Sequence, residues 1–317
     1  GGSSKVHSGM TDGMGVGAFA SITLKTEDLY LSVPKQLCMD MNSAQASTLG
    51  PTLAEVRVHF GGRSDPFHEL LLHLLWERFV MAERSYWWPY IRLLPNATEL
   101  ESVVMDTTGS KAVRVALEAS GSELAALVQW ERGDLVQKYQ QIMVPLLSSE
   151  AGIEALRSQA DAFSFSHYRW ARLLLNSRSI WWHGERHLVP MLDFVNHREG
   201  PDGGPSMRVH QTIANIDGAA ETRAAWGFEL GEQVFENYGQ PNHIYVLHHS
   251  FAMPRNSHDC LRIHLGGQAF CLKVQDAALP LVLQEHGKLD NLRALLQNRL
   301  EKASSENAMN KQSAPEI

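Results

Sequence analysis

The sequence predicts an α+β fold, with two strand-rich stretches flanking a long helical block, and three observations support it. The first is alternation near the N-terminus. Val16, Ala18 and Phe19 lead into Ile22 and Leu24, and Leu29, Leu31 and Val33 alternate before Pro34 stops the run, so residues 14–34 read as two short strands. The second is a change to a helical period from about residue 44. Asp65 before Pro66 is a helix start, a side-chain cap followed by a residue whose missing N–H costs nothing there. Leu70, Leu71, Leu74, Leu75 and Phe79 then mark one apolar face, and helical patterns recur over 122–147, 150–163 and 166–175. The third is a return, after Ser177, to short apolar pieces punctuated by Gly, Pro and Asn, among them Leu188-Val189-Pro190, the 211–216 run and Gln233-Val234-Phe235. Further on, a hairpin is expected over 261–274 and helical pieces over 277–285 and 291–302. The polar residues from about Ala303 to Ile317 are expected to be disordered.

Composition narrows the function classes. The 317 residues are 44% hydrophobic, enough for a sizeable core, and eight tryptophans suggest a built cleft. A formal net charge of -7 argues against a nucleic-acid binder, which concentrates Lys and Arg. Cys38, Cys260 and Cys271 are far apart and form no CxxC pair, so no zinc module or disulfide framework is indicated and a reducing compartment fits. No apolar run reaches the ~18 residues that span a bilayer. The longest, over 67–80, is broken by His68, Glu69, His73, Glu77 and Arg78. The opening Gly1-Gly2-Ser3-Ser4 looks trimmed or tagged, which leaves a removed transit peptide open.

Four motifs carry candidate chemistry. Gly13-Met14-Gly15-Val16-Gly17 does not meet the dinucleotide fingerprint, which needs a strand before it and a helix after it. Polar residues precede it and a β-like stretch follows, leaving a tight glycine turn or a loop whose backbone approaches a ligand closely. His183-Gly184-Glu185-Arg186-His187, with Asp193 and His197, has the wrong order for a zinc protease, and Gly184 and Pro190 deny it a continuous helix. Solvated loop histidines are expected at His183 and His187. Asp193-Phe194-Val195-Asn196-His197 follows an apolar strand where its polar groups must find partners, as a structural turn or as a site. Glu236-Asn237-Tyr238-Gly239 places a tyrosine at a Gly turn after a strand.

Taken in order, these pieces resemble the SET-domain methyltransferases related to the plant Rubisco large-subunit lysine methyltransferase. The resemblance runs from Gly15-Val16-Gly17-Ala18-Phe19-Ala20 with Val33-Pro34, through 72–79, Trp88-Pro89-Tyr90 and Leu94-Pro95, to Ser177-Arg178. It continues over Val189-Pro190, Asp193 to His197 and Gly231-Glu232-Gln233-Val234, and closes on Asn237-Tyr238-Gly239, Asn242 and Phe251. It implies a SET β-fold split by a helical insert. Its N-terminal part would be 1–43, the insert 44–170, the C-terminal part with the cofactor site 171–254, and 255–317 a partial or reduced substrate-binding segment with a short α-rich character.

The resemblance also implies roles. S-adenosyl-L-methionine would be the cofactor and a lysine-bearing, non-histone protein the substrate. The loop Met14, Gly15 and Val16 would touch the methionine part through its backbone, and Arg178 would hold the carboxylate. Asn196 and His197 would grip the adenine, Asp193 would brace that knot, Phe251 would pack on the adenine, and Tyr238 would be the catalytic tyrosine and a cofactor-binding residue as well. Where relatives often carry a second pocket tyrosine this chain reads His248-His249-Ser250-Phe251, so His249 or Ser250 takes its place. Ile180 and Leu192 flank the channel, and their apolar character suits a lysine stem better than the imidazole that an actin-directed branch modifies. A catalytically silent interaction module is the rival reading, and the retained Arg178, Asn196, His197 and Tyr238 argue against it. The insert is expected to wall the substrate cleft and to contribute little to the cofactor site, with Trp87, Trp88 and Tyr90 as core packing. No metal, nucleic-acid or membrane partner is expected. The expected form is a monomer, cytoplasmic or nuclear, or plastidic if a transit peptide was removed.

Overall fold

The computed structural model describes residues 3–63, 65–96, 100, 124–150, 152–182, 184–200, 212–214, 218–254, 256–265 and 268–273. The chain divides into two compact units, Gly1–Ser257 and His258–Ile317. In the second, Cys260–Leu265 and Gln268–Lys273 form the antiparallel hairpin expected over 261–274. The two expected helical pieces and the polar tail lie outside the described residues.

The first unit is built on two four-stranded sheets. One has the order β1 (Ser3–Ser4), β4 (Leu29–Pro34), β9 (Ala219–Arg223), β8 (Thr212–Ala214). The other has the order β2 (Val6–Met10), β3 (Val16–Ala20), β10 (Gln233–Glu236), β7 (Asn196–His197). A two-stranded hairpin joins β5 (Ile180–Trp182) to β6 (Glu185–His187). Strand β2 was not legible in the sequence, because His7, Ser8 and Gly9 deny it alternation and Val6 alone is buried. The glycine loop is therefore a hairpin turn between β2 and β3, with Gly13 and Gly15 at φ +78° and +69°.

The helical block begins at Met41 rather than residue 44, because Asp40 and Ser43 form a reciprocal capping box. The helix Pro66–Leu75 starts at the predicted cap, where the Asp65 carboxylate accepts from the His68 N–H at 3.2 Å. Beyond Leu75 a π-helical turn runs to Met81. The helix Phe165–Arg178 closes the block and delivers Arg178 at its last position. Among the described residues no helix is long and apolar enough to cross a membrane.

Among the described residues two large apolar cores result, beside a small cluster at Val128 and Leu247. Leu49, Leu70, Leu71, Leu74, Tyr168, Leu174 and Phe194 belong to the helical core, while Tyr30, Leu31, Leu192, Val195, Phe228 and Val234 belong to the β core. The segment Leu192–Val195 thus anchors into both, Phe194 on one side and Leu192 with Val195 on the other. Each fully buried side chain of this size contributes about 1.5–3 kcal/mol, so the segment is fixed at the seam between the cores.

Candidate active site

The seam positions the polar residues that the sequence singled out. Strand β7 lies parallel to β10, with Asn196 opposite Phe235 and His197 opposite Glu236. The chain leaving β10 turns at once through Asn237 and Tyr238, and the Asn237 side chain accepts from the Gly239 N–H at 2.9 Å. Tyr238 is tied back to the partner strand twice. Its hydroxyl donates to the Val195 carbonyl at 2.7 Å, and its N–H donates to His197 Nδ1 at 3.1 Å. Burial raises the Tyr238 phenol above its ordinary range, and the nearby Glu236 charge adds to this, so the hydroxyl stays neutral at physiological pH.

An ionic knot sits beside this turn. Arg178 Nη1 donates to the Asp193 carbonyl at 2.7 Å and lies 3.5 Å from Asp193 Oδ2. The Asp193 side chain is fully buried, and burial pushes its carboxyl up to about 6 against the opposing pull of Arg178. The Arg178 side chain keeps 18% exposure. Among the described residues, Asp193 Oδ1 and Asn196 Nδ2 are buried with no hydrogen-bond partner. A buried amide without a partner costs about 1–3 kcal/mol, so such a group points to something that completes it.

The aromatic wall comes from the short helical segment after Tyr238. Phe251 stacks on Tyr245 with centroids 4.7 Å apart and on His197 at 5.8 Å, and His249 lies 5.4 Å from Tyr238. Asn242 holds the return loop by donating to the Met253 carbonyl and accepting its N–H, both at 2.8 Å. Ser250 occupies a left-handed position, φ +65°, that glycine would adopt without strain.

The remaining expected residues are spread around this centre. Met14 is exposed, and the Thr11 hydroxyl stitches its loop by donating to the Gly15 carbonyl and accepting the Met14 N–H. Val16 packs against the helical core that contains Phe194. Leu192 is buried in the β core and Ile180 packs against it.

Two further tyrosines reach the same seam. Tyr245 belongs to no motif singled out in the sequence, yet its ring touches both His197 and Phe251, and its hydroxyl accepts the Gln240 N–H at 3.1 Å. Tyr90, expected to be packing, is buried and donates its hydroxyl to Asp193 Oδ2 at 2.9 Å. The helical block thus reaches the Arg178–Asp193 pair through one side-chain hydrogen bond. The clue was a tyrosine in an apolar turn, since a buried hydroxyl needs a partner. His187 also departs from expectation. It is buried in β6 with Nε2 3.3 Å from Asp40 Oδ2, where the β6 strand meets the buried start of the 41–46 helix. His183 lies outside the described residues. Among the described residues no group of three or more His, Cys, Asp or Glu is placed to hold a metal ion.

This architecture, an Asn-His strand running parallel to the strand that leads into a tyrosine turn, in one sheet with N-terminal strands from which a helical block separates it in sequence, is the SET-domain fold. The chain superposes on the SET domain of LSMT bound to lysine and AdoHcy with a TM-score of 0.62 and 21% identity, covering 83% of this chain and 56% of that one. Against Rubisco LSMT bound to AdoMet the TM-score is 0.60 at 20% identity, covering 83% and 55%. In sequence it is similar to the actin-histidine N-methyltransferase of Xenopus tropicalis, 28% identical over 262 residues, covering 80% of this chain and 41% of that protein. The enzyme of the same name from Rhinolophus ferrumequinum is 29% identical over 262 residues, covering 80% and 40%. The chain thus spans about two-fifths of the length of the curated relatives it matches. No protein-family model matches.

Proposed function

We propose that the chain is an S-adenosyl-L-methionine-dependent protein N-methyltransferase. The observation that carries this reading is the convergence of Arg178, Asp193, Asn196, His197, Tyr238 and Phe251 at one seam, with Tyr238 OH fixed on Val195 O. The solved SET-domain structures similar to this chain are described with AdoMet or AdoHcy, which supports the choice of cofactor. The residues present fit that group. Arg178 offers a fixed cation for a carboxylate, Phe251 a ring face for a purine, and the buried Asn196 amide a donor awaiting an acceptor. The glycine loop at Met14–Val16 offers backbone groups to an amino-acid moiety. When bound, the cofactor supplies an electrophilic methyl on a sulfonium.

What remains for this chain is alignment, which can contribute ~7–11 kcal/mol to a transfer step. The neutral Tyr238 hydroxyl orients the acceptor nitrogen without adding a competing charge. The apolar seam destabilises a charged acceptor, helping a lysine of ordinary pKa about 10.4 to lose its proton before transfer. The acceptor's proton would leave to solvent, and Tyr238 would hold the freed nitrogen lone pair toward the methyl that the bound cofactor would supply.

Two acceptors fit the site. The apolar character of Ile180 and Leu192 favours a lysine stem, and a SET-domain structure similar to this chain holds lysine. Leu192, however, is 4% exposed within the β core, which removes half of that support. A histidine acceptor is favoured by the names of the curated relatives and by His249 beside Tyr238. Transfer of labelled methyl groups to lysate proteins, followed by acid hydrolysis and amino-acid analysis, decides between them. Methyllysine supports the first reading and methylhistidine the second, whereas label in neither contradicts the proposed function.

A further inference from the structure

We infer that Tyr90 is a positioning residue for the cofactor's carboxylate grip: its hydroxyl fixes Asp193, and Asp193 fixes Arg178. This rests on the proposed function, since it concerns how that site is held. The contacts form a chain from the helical block to the guanidinium. Tyr90 OH donates to Asp193 Oδ2 at 2.9 Å, Arg178 Nη1 lies 3.5 Å from the same oxygen, and Arg178 Nη1 donates to the Asp193 carbonyl at 2.7 Å.

The donor is itself rigidly placed. Tyr90 is 6% exposed, its ring lies 6.0 Å from Phe194, and its turn is pinned where Arg78 donates to the Ile91 carbonyl at 2.7 Å. The receiving segment needs such a hold. Met191 sits at φ +71°, which L side chains rarely adopt, and Asp193 Oδ1 has no partner among the described residues. The Tyr90 hydroxyl and Arg178 are therefore the hydrogen-bonding and ionic partners that favour a charged carboxylate there. The titratable and charged groups facing Asp193 are Tyr90 from the 88–91 turn, Arg178 from the 165–178 helix and Tyr238 after β10, with Glu236 acting on Tyr238 and Cys38 acting on Tyr90.

Loss of the Tyr90 hydroxyl makes the Asp193 carboxylate harder to ionise, so its titration moves upward from about 6. Arg178 then loses its countercharge at a higher pH. The test is calorimetric titration of the full chain with S-adenosylhomocysteine between pH 5 and 8, for the parent, Tyr90→Phe, Asp193→Asn and the double variant, with melting temperatures recorded alongside. Tyr90→Phe is expected to weaken binding at pH 7 by roughly tenfold, the size of one hydrogen bond to a charged group, and to move the acid midpoint of binding upward. Asp193→Asn is expected to abolish that midpoint, and adding Tyr90→Phe to it should change affinity little. A lowered melting temperature with an unmoved midpoint, or losses that simply add in the double variant, overturns the inference. If Tyr90→Phe fails to fold, an acid midpoint that survives in Asp193→Asn overturns it. A parent chain that binds no S-adenosylhomocysteine overturns the proposed function itself, a result distinct from parent binding that Tyr90→Phe leaves unchanged.

Discussion

Tyr238 donates its phenolic hydrogen to the Val195 carbonyl at 2.7 Å, which ties the turn after β10 to the residue just before Asn196. The bond aims the hydroxyl at the seam where the two apolar cores meet, and it holds ring and strand as one unit. Tyr238→Phe keeps the ring volume and the tilted ring contact with His249, so fold and S-adenosylhomocysteine affinity should stay near parental values. Methyl transfer should fall by at least ~10²-fold, because the hydroxyl positions the acceptor in the transition state rather than the ground state. Single-turnover rates and dissociation constants for both proteins check this. A packing tyrosine would tolerate Phe with its rate intact.

Asn196→Ala should abolish cofactor binding while leaving the chain folded. The amide is buried without a hydrogen-bond partner among the described residues, so its removal frees the protein of an unsatisfied donor and takes from the ligand a specific partner. Thermal-shift titration with S-adenosylhomocysteine is the measurement. A parental response in the variant would place the site elsewhere.

His73 makes an acid-stability prediction. It is fully buried, burial lowers its pKa to about 4, and neither ring nitrogen has a hydrogen-bond partner among the described residues. The unfolded chain takes up a proton near pH 6.5 that the folded chain refuses, so the stabilisation is complete above 6.5 and is lost as the pH falls toward 4. The loss approaches about 3 kcal/mol. His73→Leu should flatten the decline over that window, which urea unfolding at pH 7, 5.5 and 4.5 would show. Coinciding pH dependences would contradict the burial account.

Ser250→Gly should stabilise the chain by about 0.5–1 kcal/mol, because an exposed non-glycine residue at φ +65° pays a steric cost that glycine does not. Differential scanning calorimetry reads this directly. A lower melting temperature would mean that the serine side chain makes a contact worth more than the strain.

What was legible in the sequence was whatever a period or a cap encodes. The Asp65-Pro66 start, the leucine face behind it and the alternation of Leu29, Leu31 and Val33 all emerge as elements with nearly the expected bounds. Motif order also brought Arg178, Asp193, Asn196, His197, Tyr238 and Phe251 into view, and these residues do lie at one seam. The misses have a common physical cause, which is that their partners are distant in sequence. Tyr90 meets Asp193 across 103 positions, and the buried pairing of His187 with Asp40 joins a strand to a helix start. Strand β2 is held by its register with β3 rather than by its own pattern.

The most direct test of the account is incubation of a lysate from the source cells with the full chain and methyl-labelled S-adenosylmethionine, with Tyr238→Phe in parallel. The expected result is a discrete labelled protein band with the parent and little label with the variant, both proteins binding S-adenosylhomocysteine alike. Equal labelling by the two, or a folded, cofactor-binding parent that labels nothing, would contradict methyl transfer at Tyr238.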